Sequence, residues 1–312
     1  MSDWATAGPG AERIAELFRA MTILGTIVLV LFCAALAYAL LHRRRPVEPP
    51  TPERDRRGTH AILWLGAVVP TLILVPLLLW TMGTLGALDP DAGRPGLVVD
   101  VVGKQWWWEI RYRDTIPGRT FVTANELHVP VGRRVELRLT STDVIHSFWV
   151  PALQGKTDLI PGRENVAWIE ADRPGVYGGQ CAEYCGTQHA HMGLLVVAQP
   201  LDEYDDWAAR QRESAAEPRD SLTRLGRRAF LESACPLCHA VRGTPAGGNA
   251  GPDLTHVAGR QTLAAGLLPN TAGHLGGWIA NPQALKPGSR MPRVPLSRGE
   301  FQLIHHYVQS LK

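Results

Sequence analysis

Residues 181–192 read CAEYCGTQHAHM, and the reading of this stretch decides the fold of what surrounds it. Cys181 and Cys185 are four apart, His189 follows by four, and Met192 by three more. Two thiols, an imidazole and a thioether so close together make a soft donor set that favours copper over hard cations. A disulfide between the two cysteines would leave His189 and Met192 unexplained. A Cys₂His₂ zinc site is the stronger alternative, because two thiolates and two imidazoles satisfy tetrahedral zinc. Methionine weighs against zinc: of 5 Met residues only Met192 and Met291 lie beyond Met82, and a thioether suits a weak axial position on copper. Loops between strands of a β-sandwich can converge such donors. The second imidazole must then come from elsewhere, and His146, in DVIHSFWVP, is the candidate. His191 is a rival that a strand would turn to the opposite face. His128, in ELHVPVG, reads as a surface or turn histidine.

Outward from this stretch, residues 96–200 alternate with period two. LVVDVV, RVELRLTS, VAWIEA and GLLVVA read as strands, separated by turns such as IPGR and DRPGVYGG. Several short strands over this length predict an all-β sandwich or barrel. In QWWWEIRY, residues 105–112, a strand would put Trp106 and Trp108 on one face and Trp107 on the other. At least one of the three is expected to fill the core.

Towards the N-terminus the composition becomes apolar. Residues 21–41 and 61–85 carry no Asp, Glu, Lys or Arg, and each is long enough to cross a bilayer of roughly 30 Å as a helix. Pro70 and Pro76 predict a kink in the second. The segment between them, residues 42–60, holds six arginines against two in residues 1–20. The excess of positive charge predicts a cytoplasmic loop with both termini outside. A cleaved signal peptide would carry its arginines before the apolar run. Bulky Phe32 argues against a lipoprotein site at Cys33, which reads as an apolar residue facing lipid or helix.

Towards the C-terminus, residues 201–221 have seven acids and three bases and read as a linker, partly helical. Residues 222–312 carry ten bases and three acids, with helical patterns at both ends. Cys235-Pro236-Leu237-Cys238-His239 is a C-x-x-C-H sequence, the attachment signature of a c-type haem. A redox dithiol or half a zinc site would share the C-x-x-C but not its surroundings. Gly226 and Phe230 precede it, GPDL (251–254) follows, and Met291 lies ahead of the final helix. Met291 is the sole thioether there. His256, His274, His305 and His306 are the alternative axial ligands, and a Met/His pair would raise the iron potential over bis-His.

The pattern C-x-E-x-C-G-x-x-H-x-x-M, with the upstream D-V-x-H-S and PGR segments, resembles subunit II of the haem-copper cytochrome c oxidases over residues 21–200. Residues 222–312 resemble a class I cytochrome c. The resemblance implies a multidomain chain: an extracytoplasmic segment 1–20 and a transmembrane helical hairpin 21–95 with cytoplasmic loop 42–60. A cupredoxin-like domain 96–200, an acidic linker 201–221 and an all-α cytochrome c domain 222–312 follow. It implies a dinuclear copper centre, CuA, bridged by Cys181 and Cys185. His146, His189, Met192 and the carbonyl of Glu183 would complete it, and the Glu183 side chain would serve a magnesium ion shared with subunit I. Electrons would enter at an exposed Trp106. One haem c would be bound through Cys235 and Cys238, with His239 and Met291 on the iron, Pro252 orienting His239, and Arg260 or Trp278 near the propionates. The implied setting is a bacterial inner membrane, with both folded domains on the periplasmic side. The implied partners are subunits I and III, membrane lipid, and a cytochrome c or membrane-bound donor. The implied role is electron input, with oxygen reduction and proton translocation centred on another subunit. Relatives carry a glutamate at the start of the second helix. Here GTHAILW, residues 58–64, has only His60 as an ionisable group, which argues against proton uptake through this chain.

Rival readings are the CuA and haem c subunit of another terminal reductase, such as one acting on nitric oxide, and a stand-alone membrane-anchored carrier. A quinol-oxidase subunit would lack the copper donors, and a nitrous oxide reductase would need a propeller for which the chain has no room. Overall composition, 45% hydrophobic and 20% charged in 312 residues, excludes wholesale disorder and a polytopic transporter. A net charge of +3 gives no reason to expect a nucleic-acid partner.

Overall fold

The computed structural model describes residues 5–42, 51–89, 96–114, 116 and 119–312. Two compact units divide the chain, Glu12–Ala92 on the one hand and Met1–Ala11 with Gly93–Lys312 on the other. The smaller unit holds α1 (Pro9–His42), most of which lies within it, and a second run made of α2 (Pro52–Leu63), a π-helical turn (Trp64–Val68) and α3 (Val69–Ala87). Both runs are long and apolar enough to cross a membrane, and their apolar windows are not buried within the protein. Exposed Leu31, Phe32, Leu65 and Leu79 would be unfavourable in water and are at home in lipid. A π turn (Trp64–Val68) lies just ahead of Pro70, a residue with no N–H to donate and a ring that crowds the preceding turn, while α3 runs through Pro76. Residues 43–50 of the expected loop lie outside the described residues. Residues 52–60 are helical rather than loop, because Thr51 accepts from Arg54 N and Pro52 occupies the first helical position.

The larger unit opens with residues 5–11, which join the β domain. Ala7 N donates to Ala152 O at 2.7 Å, and Asp172 N donates to Ala7 O at 2.8 Å. Ten strands follow: β1 (Leu97–Lys104), β2 (Trp107–Tyr112), β3 (Phe121–Ala124), β4 (Glu126–Pro130), β5 (Val135–Ser141), β6 (His146–Trp149), β7 (Thr157–Leu159), β8 (Asn165–Ile169), β9 (Gly175–Cys181) and β10 (Gly193–Gln199). They form two five-stranded sheets, ordered β3-β2-β1-β5-β8 and β4-β10-β9-β6-β7. Period two is clearest in β5, where Val135, Leu137, Leu139 and Ser141 are buried and their neighbours are not. Those side chains meet Val99, Trp108, Leu127, Leu194 and Val196 in the core between the sheets. Trp108 is the tryptophan of the run that fills the core, at 0% exposure.

The stretch expected to be a partly helical linker is helical over α4 (Leu201–Arg212), and Tyr204 and Ala208 are buried in the sandwich core. The acids around them mask a short apolar stripe in the sequence. His128 is not a surface residue: β4 buries it, Trp207 stacks on its ring at 4.0 Å, and Nδ1 bonds Gln199 Oε1 at 2.8 Å.

The rest is a small helical module with a short hairpin. It comprises α5 (Ser221–Glu232), β11 (Thr262–Leu263), β12 (Leu268–Pro269), α6 (Ala272–Ala280), α7 (Pro282–Leu285) and α8 (Arg298–Ser310). Asp220 caps α5, and Ser297 with Glu300 forms a capping box on α8. Phe230 of α5 packs on Tyr307 of α8 with ring centroids 5.6 Å apart.

Candidate functional site

Strand register builds the first site. Phe148 of β6 pairs with Cys181 at the end of β9, and β6 begins two residues earlier at His146. The two side chains therefore project from one face of the sheet. Residues 182–188 loop out and return through a 3₁₀ turn, His189–His191, into β10. His191 is thus on a turn rather than a strand, exposed, with Nδ1 bonded to Gln188 Oε1. Opposite, β1 presents Gly103, where a Cβ would lie 2.7 Å from the His146 ring. Only glycine permits that approach.

All six predicted donors come together. Cys181 Sγ lies 3.8 Å from Cys185 Sγ, 3.8 Å from His146 Nδ1 and 3.2 Å from the carbonyl oxygen of Glu183. Cys185 Sγ lies 3.6 Å from His189 Nδ1 and 3.9 Å from Met192 Sδ. The sulfur separation is far beyond a disulfide bond of about 2.05 Å. His146, Cys181 and Cys185 are buried, with ligand atoms within 4.8 Å of one another, and Met192 has 0% exposure. The neighbouring Cys185 thiol, with His146, holds Cys181 well below the usual thiol range against the effect of burial, while Cys185 is pushed up. One proton of the pair is easily lost, as binding a soft cation requires. The donor set fits copper. The Glu183 side chain is exposed, and among the described residues no group of metal-ligating side chains includes it.

A supporting shell surrounds these donors. Asp143 Oδ1 bonds His146 Nε2 at 2.8 Å, which fixes the tautomer that leaves Nδ1 free for the thiolate side. Asp143 Oδ2 accepts from Gln105 N at 2.7 Å, and Gln105 Nε2 donates to Cys185 O at 2.8 Å. Both lie in quoted segments, D-V-x-H-S and QWWWEIRY, but neither had been given a role. The i,i+3 spacing of Asp143 and His146 was the available signal.

The second site is a cavity of about 640 Å³ lined by Cys235, Cys238, His239 and Met291. Its size lies within the roughly 300–1,000 Å³ of ordinary cofactor pockets. His239 Nδ1 donates to Pro252 O at 2.7 Å, so Nε2 is the nitrogen left for iron. Gly251 makes room for that ring, since a Cβ there would lie 2.6 Å from it. Arg260 lines the cavity with its Nε buried and unpartnered, and burial lowers its pKa. That is the state of a cation built to meet an anionic group. Two cysteines, a free imidazole nitrogen, a thioether and this arginine fit a covalently held haem. Trp278 also lines the cavity, whereas His256, His274, His305 and His306 do not. His256 is spent on the carbonyls of Lys312 and Glu213.

Trp106 belongs to both sites. Its Nε1 donates to Cys185 O at 3.0 Å, and its ring lines the cavity together with Trp107. It is half-buried rather than exposed as expected, packed against the β-domain core beside the cavity it shares with the helical module.

Comparison with known proteins agrees with both halves. Residues 116–199 match the family "Cytochrome C oxidase subunit II, periplasmic domain", and residues 223–312 match "Cytochrome c". The chain is 36% identical to the cytochrome c oxidase subunit 2 of Alkalihalophilus pseudofirmus, over 98% of this chain and 89% of that one. It is 31% identical to that of Bacillus sp. strain PS3, over 86% of this chain and 80% of the other. The crystal structure of the periplasmic domain of cytochrome oxidase subunit II from Bradyrhizobium japonicum matches at 32% identity and a TM-score of 0.37. That match covers 38% of this chain and 96% of that one.

Proposed function

The chain belongs to the cytochrome c oxidase subunit 2 family, and from that premise we propose that it is the electron-input arm of a bacterial oxidase. In this reading electrons pass from an external donor to haem c, then to CuA, then to subunit I, where oxygen is reduced and protons are translocated. Bound haem and a dinuclear copper pair would supply one-electron redox chemistry. The chain's residues supply the rest. Cys181, Cys185, His146, His189, Met192 and the Glu183 carbonyl would hold copper, with Asp143 keeping the His146 ring oriented. Burial of His146, Cys181, Cys185 and Met192 keeps water from the donors, which suits electron transfer rather than substrate chemistry. Cys235 and Cys238 would tether the haem, His239 and Met291 would be its iron ligands, and Arg260 would meet its propionates. The exposed Glu183 carboxylate is the group available to a magnesium ion shared with subunit I.

One observation carries this reading: Trp106 touches the Cys185 carbonyl and also walls the haem cavity. A single side chain spanning the two sites is what a short transfer path needs. The hydrogen bonds of Ala7 and Ala11 into the β domain support the reading in which the N-terminal residues share that domain's side of the membrane. The ten bases against three acids of residues 222–312 suit an acidic donor surface, so reduction of the haem by its donor should slow as salt rises. Subunit III is the remaining partner expected from the family.

Purification from the native membrane in mild detergent tests the proposal. A co-purifying polytopic haem-copper subunit, with oxygen consumption, is the expected result. A chain that purifies alone with copper and haem would favour a free carrier, and a partner that reduces nitric oxide would move it to another reductase.

A further inference from the structure

The helical module meets the β domain through buried charges whose hydrogen bonds across the interface go to backbone, Glu126 also lying 3.9 Å from His128 Nε2 within the β domain. Lys286, 3% exposed, sits between α7 and the Met291 loop. Its Nζ donates to Trp106 O at 3.0 Å and His191 O at 2.8 Å on the β domain, and to Ala264 O at 2.9 Å in its own module. The reverse arrangement stands close by. Glu126 of β4, 3% exposed, accepts with Oε1 from Gln261 N at 2.6 Å and Thr262 N at 2.9 Å in the helical module. Between them Gly193 N of β10 donates to Ala265 O at 2.9 Å. Gln188 Nε2 also donates to Pro287 O, and Arg290 to Gln105 Oε1. The Met291 loop is thus fastened to the loop that carries His189.

We propose that Lys286 and Glu126 are a reciprocal pair of positioning residues that hold the helical module permanently docked, so that transfer between the two centres needs no encounter step. Two of the three carbonyls on the buried cation and both amides on the buried carboxylate come from the opposite domain, so each group loses hydrogen bonds outside the docked arrangement. If the module swung away, both charges would gain water but the interface would lose every one of these bonds. Burial lowers Lys286 to about 8, so it is still an ammonium with three donors at neutral pH. Lys286 sits on the Trp106 carbonyl, and this ties the docking bond to the residue that touches both sites. The transfer part rests on the function proposed above; the docking part does not.

The test is amide hydrogen exchange on the full chain in detergent, comparing wild type with Lys286→Met, Lys286→Arg and Glu126→Gln. Lys286 makes no bond to the amides of Gly193, Gln261 or Thr262, so their exchange reports module opening rather than a local loss. Lys286→Met should speed exchange at those three amides by about 30-fold, the loss typical of truncating one buried charged partner. Lys286→Arg should retain much of the protection. Glu126→Gln should expose Gly193, which it does not touch, and it decides the matter if Lys286→Met fails to fold. Unchanged protection of Gly193 in Glu126→Gln, or of all three amides in a folded Lys286→Met, would overturn the proposal. In the loaded protein, one electron passing from reduced haem to oxidised copper, with no bond made or broken, should be insensitive to salt in wild type. In Lys286→Met it should become slower and salt-dependent. A wild type with intact protection but no haem or copper would instead refute the electron-transfer reading and leave the docking intact.

Discussion

The two candidate centres are prepared in different ways by the same chain. In the β domain the donors already stand 3.2–3.9 Å apart, held by two sheets whose core is complete without any metal. In the helical module Cys235, Cys238, His239 and Met291 instead line a cavity of about 640 Å³. The β sandwich has an extensive apolar core of its own, whereas the module's buried core is small. Both use one glycine to let a ligating ring come close, Gly103 for His146 and Gly251 for His239. The same device thus serves a closed site and a hollow one.

The largest expected effect breaks the hollow side. Replacing Cys235 and Cys238 together with Ser should abolish the melting transition of residues 222–312, seen by calorimetry and proteolysis. The β domain should still melt cooperatively. A module that keeps its own transition would mean that its small core suffices alone. Next, Trp108→Ala should cost the β domain about 3–5 kcal/mol in a denaturant titration, because Trp108 is fully buried behind the copper loop. The helical module should not feel it directly. Asp143→Asn should leave the fold intact and weaken copper binding about 10–100-fold in a competition titration, through loss of the bond that fixes His146. An unchanged affinity would show that the sheet register alone orients the ring. The smallest effect concerns α8. The Ser297 bonds hold the Glu300 carboxyl below its ordinary range. A group lowered in the folded state stabilises above its unfolded value and loses that contribution as pH falls through the folded one. Wild type should therefore lose its margin over Glu300→Gln below about pH 4.5.

The same contrast explains what could be read from the sequence. The donors of residues 181–192 and the C-x-x-C-H run were legible because ligand chemistry demands fixed residue types at short spacing. His146 was legible from its motif, and β1, β5, β8 and β10 from period two. Trp106 was placed correctly in the chain, but its burial was not foreseen. The module beside it docks through Lys286, nearly two hundred residues away, by bonds to carbonyls that every residue type carries. Glu126 escaped for the same reason. His128 was misread, since the Trp207 that stacks on it lies in a stretch whose acids suggested a linker.

Metal and haem content of the purified full chain, wild type against Cys181→Ser, tests the central claim of two separately built centres on one input arm. Two coppers and one covalent haem are expected in wild type. Cys181→Ser should lose the copper spectrum and keep the haem spectrum unchanged. Zinc in place of copper, or loss of both spectra from a variant that remains folded, would contradict the account.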